Sequence, residues 1–155
     1  MNSFSKFIST LFGIGYFPKA PGTMGTAFAA ILYYIFIQLG WENGWLFLAG
    51  TLALALVSVF FITKAEKDLG HDAGSIVIDE LIGYFIAVMF LPQNLMVVIT
   101  AFILFRIFDI FKPEPVNVLQ KLPAGWGVMV DDIMAGIYAN VVLQILVRVL
   151  PQIFS

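Results

Sequence analysis

The chain has 155 residues, 61% of them hydrophobic and only 12% charged, with a mean hydropathy of +0.96. Soluble domains carry about 25% charged residues, so this composition belongs in lipid rather than water. There is no cysteine, which excludes disulfides and thiolate chemistry, and eight scattered Lys and Arg are too few for a nucleic-acid surface.

The first apolar run, Phe7 to Gly15 behind Lys6, resembles a weak signal peptide. It lacks a small-residue cleavage site, since Ala20 is followed by Pro21, and reads as a retained interfacial or membrane-dipping segment. A spanning helix needs about 20 mostly apolar residues. Candidates follow at Gly25–Leu39 (starting near Thr23), Trp45–Thr63, Ser75–Leu91, Leu95–Phe111 and Val128–Leu150. Turn-rich or polar stretches separate them: 40–44, 64–74, 92–94 and 112–127. The expected fold is all-α, a polytopic membrane bundle of about five membrane segments. Four full spans are the alternative, with the third or fourth segment a half-helix or re-entrant hairpin. A single membrane-embedded domain covers residues 1–155.

With the N-terminus cytoplasmic, Lys6, Lys19, Lys64, Lys67, Arg106, Lys112 and Lys121 fall inside and only Arg148 outside. That is a positive-inside pattern. Trp41, Trp45 and Trp126 fall at the expected interfaces.

Six charges stand within or at the edge of apolar segments: Asp79, Glu80, Arg106, Asp109, Asp131 and Asp132. Each costs at least about 2.5–3.5 kcal/mol near a membrane centre. In the expected topology all six reach one layer, about a turn below the cytoplasmic surface. Asp79 and Gly83, and Asp132, Gly136 and Asn140, follow a four-residue spacing that lets helices approach closely beside the carboxylates, and Ala135 and Ala139 add to it. Snorkelling ion pairs would be the plain explanation, but Arg106 and Lys112 cannot neutralise five carboxylates. The surplus requires protons or a divalent cation, and oxygen-only ligands favour a hard ion such as Mg²⁺. Lys19 and the Pro21-Gly-Thr23 helix start offer a charge and free N–H groups to an anion, with Thr23 as a possible cap, although such a start is more often only a tight entry turn. His71, the one histidine, reads as a solvated loop residue, and Asp72 as either a helix cap or a catalytic group.

Composition removes cysteinyl-phosphate and two-histidine phosphatase chemistry, leaving carboxylates, metal and basic groups. Four stretches then carry a resemblance: Pro21-Gly-Thr-Met-Gly25; His71-Asp-Ala-Gly-Ser-Ile-Val-Ile-Asp-Glu-Leu-Ile-Gly83; Phe105-Arg-Ile-Phe-Asp-Ile-Phe-Lys-Pro-Glu-Pro115; and Gly125-Trp-Gly-Val-Met-Val-Asp-Asp-Ile-Met-Ala-Gly136. In this order the chain resembles the phosphatidylglycerophosphatase A family, with a slight departure at Ala124-Gly-Trp-Gly127. The resemblance implies Mg²⁺-dependent removal of the terminal phosphate of phosphatidylglycerophosphate in the bacterial cytoplasmic membrane. The expected roles are metal ligation and general-base work by Asp79, Glu80, Asp131 and Asp132. Asp109 is a further ligand or the group orienting Arg106. Arg106 and Lys112, with Lys19 and Thr23, bind the phosphate of the phospholipid substrate. Water is preferred over an Asp carboxylate as nucleophile. The rival is a carboxylate-lined ion or proton transporter, which would need charge near the midplane and access from both faces. Nothing in the sequence specifies an oligomer.

Overall fold

A computed structural model describes residues 3–155, and the described residues form helices without any strand. The order is α1 (Ser3–Ser9), a 3₁₀ turn (Ile14–Tyr16), α2 (Pro21–Gln38), α3 (Gly44–Leu69), α4 (Ile78–Ala87), α5 (Leu95–Phe111), α6 (Val116–Leu119), α7 (Gly125–Val149) and α8 (Pro151–Phe154).

Among the described residues, only α3 and α7, with 26 and 25 residues, are both long and apolar enough to cross a membrane by length and composition. The all-α fold is as expected, whereas two helices, not about five, qualify as spans by this measure. The third candidate, 75–91, yields a helix of only 10 residues, about 15 Å long and half the hydrocarbon thickness. The first candidate begins at Pro21 rather than near Thr23. Ala20, in the left-handed region at φ 51°, is its N-cap, so Thr23 lies inside the first turn and caps nothing. Proline at the first helical position suits this start, because its missing N–H has no helical partner there. Asn43 and Asn94 cap α3 and α5 by accepting from Leu46 N and Val97 N at 2.9 and 3.0 Å.

The short α4 is the centre of the bundle. All its residues except Glu80 are buried, and it packs most extensively on α7, with α2, α3 and α5 around it. Two glycines set the α4–α7 distance. A Cβ on Gly136 would run into the Gly83 carbonyl, and one on Gly83 would lie 2.7 Å from the Asp132 carbonyl. The backbones are thus in near contact, and they carry Asp79 and Asp132 to within one helical turn of that crossing.

A half-length buried helix leaves carbonyls without partners. Asn140 answers this from α7, its side-chain amide donating to Ala87 O at 3.0 Å and Met89 O at 2.9 Å. Tyr84, also on α4, donates to Val98 O of α5 at 2.9 Å. At the other end the chain before α4 is tied to the N-terminal segment by Val77 N donating to Ser9 O at 2.9 Å. The surface away from this core is apolar: Ile99, Ile103, Ile107 and Ile110 form an exposed stripe on α5, as do Leu52, Leu56 and Phe60 on α3. Exposed apolar surface on this scale marks a contact with lipid or protein.

Candidate metal and phosphate site

The start of α2, the start of α4, the end of α5 and the first two turns of α7 meet at one end of the bundle. Asp79 and Glu80 come from the first turn of α4. Asp131 and Asp132 come from the second turn of α7, one turn deeper than the sequence suggested because the helix begins at Gly125 rather than Val128. Ala124, just before it, takes φ 57°, a conformation that glycine adopts more easily. Arg106 and Asp109 lie in the last two turns of α5, and Lys112 is its left-handed C-cap at φ 44°.

Asp79, Glu80 and Asp132 form the tightest group, each offering a carboxylate oxygen within 4.8 Å of the others. Asp79 and Asp132 are 6% and 4% exposed. The Asp79 and Glu80 carboxylates face one another, and Asp132 faces Asp109. Asp79 Oδ1, Glu80 Oε2, Asp131 Oδ1 and Asp132 Oδ2 are buried without any hydrogen-bond partner. Buried carboxylate oxygens cost heavily when left unpaired. A set of oxygens converging from two helices suits a hard divalent cation, so the donors present fit a metal.

Asp131 stands beside this group. Its Oδ2 accepts from Lys112 Nζ at 2.6 Å, and Lys112 also donates to Gln120 Oε1 at 3.0 Å. Partial burial works against the Lys112 charge, but the hydrogen bond to Asp131 and the charges of Asp131, Asp72 and Asp132 outweigh it and hold the ammonium above the ordinary lysine range. Asp109 Oδ2 accepts from Arg106 Nη1, which orients the guanidinium, and Arg106 Nε is left buried without a partner.

Gly22, in the first turn of α2, was noted in the sequence only as a turn former. A Cβ there would collide with Glu80 Oε1 and lie 3.2 and 3.3 Å from Arg106 Nη1 and Nη2. The absence of a side chain lets the first turn of α2, with its unbonded N–H groups, stand directly against the carboxylate and the guanidinium. Glycine directly after a proline at a helix start is the signal that could have identified it. Gln120 gave no signal, because its role depends on how the loop after α5 folds back.

Lys19 is exposed and has no ion pair or hydrogen bond among the described residues. Among the described residues Thr23 makes no side-chain hydrogen bond either, so neither is tied to the cluster by a hydrogen bond or ion pair. Asp72 is not a cap of α4, whose N-cap is Val77. It sits in the loop at φ 51°, its N–H donating to Glu66 Oε1 at 3.1 Å, and its charge is felt at Lys112 and Asp131. His71 is half exposed and pairs with Glu66 at 2.6 Å, in keeping with a solvated loop residue.

Residues 7–147 match the family model of phosphatidylglycerophosphatase A. The chain is 40% identical over 135 residues to phosphatidylglycerophosphatase A of Haemophilus influenzae, covering 85% of this chain and 82% of that protein. It is 38% identical over 135 residues to phosphatidylglycerophosphatase A of Escherichia coli, covering 85% and 77%. It is also 37% identical over 147 residues to a putative phosphatidylinositol-3-phosphatase of Bacteroides thetaiotaomicron, covering 89% and 90%. No solved structure matches. A family match over nearly the whole chain, with carboxylates and basic groups gathered at one end of the bundle, leads to one conclusion: the chain belongs to the phosphatidylglycerophosphatase A family of phosphatases.

Proposed function

We propose that this protein hydrolyses the terminal phosphate monoester of phosphatidylglycerophosphate, with Mg²⁺, at the cytoplasmic face of the bacterial inner membrane. The observation that carries the reading is the set of unpartnered buried carboxylate oxygens on Asp79, Glu80 and Asp132 directly beside Arg106 and the start of α2. Asp79, Glu80 and Asp132 would hold the cation. A bound Mg²⁺ supplies charge neutralisation at the phosphate and activation of water.

The remaining steps belong to the chain's own groups. Arg106, aligned by Asp109, presents its planar fork and free Nε to the phosphate oxygens. Lys112 adds a second positive charge, and the first-turn N–H groups of α2 add donors. Asp131, held through Oδ2 by Lys112, keeps Oδ1 free to accept a proton from the attacking water. The water oxygen bonds to phosphorus as the P–O bond to glycerol breaks, the alcohol oxygen takes up the proton held by Asp131, and inorganic phosphate leaves. Lys19 and Thr23 act, if at all, on the incoming headgroup from the rim.

The same reading makes the whole chain one membrane-embedded unit. α3 and α7 cross fully, α2 and α5 complete the bundle, α4 is a half-length segment, and the N-terminus is cytoplasmic. The lipid then keeps its acyl chains in the bilayer while its phosphate reaches the cluster. A transporter is disfavoured because the clustered charges lie at one end of their helices. Phosphatidylinositol phosphate is the second candidate substrate, favoured by the name of the Bacteroides relative.

The test is phosphate release by purified protein from both lipids, with Mg²⁺ and with EDTA. Faster Mg²⁺-dependent release from phosphatidylglycerophosphate supports the reading. Preference for the inositol lipid would move the substrate, and no release from either would reject a lipid phosphatase.

A further inference from the structure

At the end of the bundle away from the carboxylates lies a second concave site, of 250 Å³, between the C-terminal ends of α2 and α4 and the start of α3. Six aromatic rings line it: Tyr33, Phe36, Trp41, Trp45, Phe47 and Phe90. They are packed on one another, with ring centroids 5.5 Å apart for Tyr33 and Phe47, 5.9 Å for Phe36 and Trp41, and 4.9 Å for Trp45 and Phe90. Trp41, Trp45 and Phe90 are each 45% exposed or more, so ring surface remains available to a ligand. Gln93 Nε2 donates to Trp41 O at 2.8 Å and fixes one wall.

The charged side chains of the site are of one sign. Glu42 is the single charged residue lining it, and no lysine, arginine or histidine does. The C-terminal ends of α2 and α4 bring partial negative charge to it, against the partial positive charge of the one helix start, α3, that also borders it. An aromatic belt at a membrane surface accounts for exposed tryptophans. It does not account for a cavity walled by six rings with a lone carboxylate.

We propose that this pocket binds an alkylammonium group, its charge set against the ring faces and the Glu42 carboxylate. Ring faces attract cations within about 6 Å of their centroids, most strongly where water is excluded. The volume suits a choline- or ethanolamine-sized group. The group is carried either by a zwitterionic phospholipid headgroup or by a free amine.

The experiment uses the full chain in uncharged detergent, in a Trp126→Phe background so that Trp41 and Trp45 alone report. Choline and ethanolamine are titrated against tryptophan fluorescence beside 3,3-dimethyl-1-butanol, the neutral isostere of choline. The expected result is a saturable response to the cations, at least about tenfold stronger for choline than for its isostere. Glu42→Gln should weaken choline several-fold and leave the isostere unchanged. Nanodiscs separate the sources. If lipid is the ligand, phosphatidylethanolamine discs abolish the choline response and phosphatidylglycerol discs preserve it. If a free amine is the ligand, choline still responds in both. Equal binding of choline and its isostere, an unchanged Glu42→Gln variant, or no response to any cation or lipid would overturn the proposal. None of these readouts depends on phosphatase activity.

Discussion

Replacing Gly22 by alanine adds one methyl group at the point where α2, Glu80 and Arg106 meet. The new Cβ would fall inside the contact distance of Glu80 Oε1 and at 3.2–3.3 Å from both terminal nitrogens of Arg106, where ordinary contacts begin at 3.4 Å. The backbone of Gly22 is helical, so alanine fits its conformation and favours the helix by about 0.5–1 kcal/mol. The side chains must give way instead. Glu80 has to retreat by about 1 Å, the scale of misplacement that can cost ~100-fold in rate. Gly22→Ala should therefore lower kcat for lipid-phosphate hydrolysis by ten- to a hundredfold, with an unchanged or slightly higher Tm. The assay is phosphate release in mixed micelles beside thermal unfolding in the same detergent. Activity within twofold of the parent, at normal stability, would refute the placement of α2 against the site.

Three further outcomes follow from the same geometry. Arg106→Lys removes the planar fork while keeping the charge, so kcat/KM should fall at least tenfold, and near-normal hydrolysis would exclude a bidentate contact. Asn140→Leu strands the Ala87 and Met89 carbonyls at about 1–3 kcal/mol each. Tm should drop by several degrees, whereas an unchanged Tm would mean the half-helix is closed some other way. The chain has no cysteine, so single cysteines at Lys121 and Glu42 report sidedness directly. Labelling of the two from opposite sides is expected, and labelling of both from one side would reject the topology.

The gathering of charge is legible because an ionisable residue inside an apolar run is conspicuous: Asp79, Glu80, Arg106, Asp109, Asp131 and Asp132 all stand out in this way, and Asp79, Glu80 and Asp132 do converge. The spacing of Gly83 and Gly136 marks faces for close helix approach, although only the structure shows that these two faces meet each other. For the apolar run 75–91 the sequence leaves span and half-helix both open, because a buried half-helix has the same composition as a crossing one. Its end is marked by Asn140, which lies on the four-residue stripe with Asp132 and Gly136 but donates to carbonyls 53 and 51 residues away in sequence, a partnership that spacing cannot express. Thr23 was misplaced as a cap because Ala20 takes a left-handed conformation that its side chain does not advertise. The division of labour between Asp132 in the cluster and Asp131 on Lys112 depends on which way adjacent side chains turn from one helix, and that is a tertiary fact.

Hydrolysis should depend on a divalent cation held by Asp79, Glu80 and Asp132. Titration of Mn²⁺ into the purified protein, followed by electron paramagnetic resonance, measures that cation directly, with phosphate release recorded on the same samples. The parent should bind Mn²⁺ saturably and lose activity in EDTA. Asp79→Asn and Asp132→Asn, with Tm unchanged or raised by relief of repulsion between carboxylates, should lose both binding and most of kcat. Full activity in EDTA, or folded Asn variants that hydrolyse lipid phosphate at the parental rate, would contradict the account.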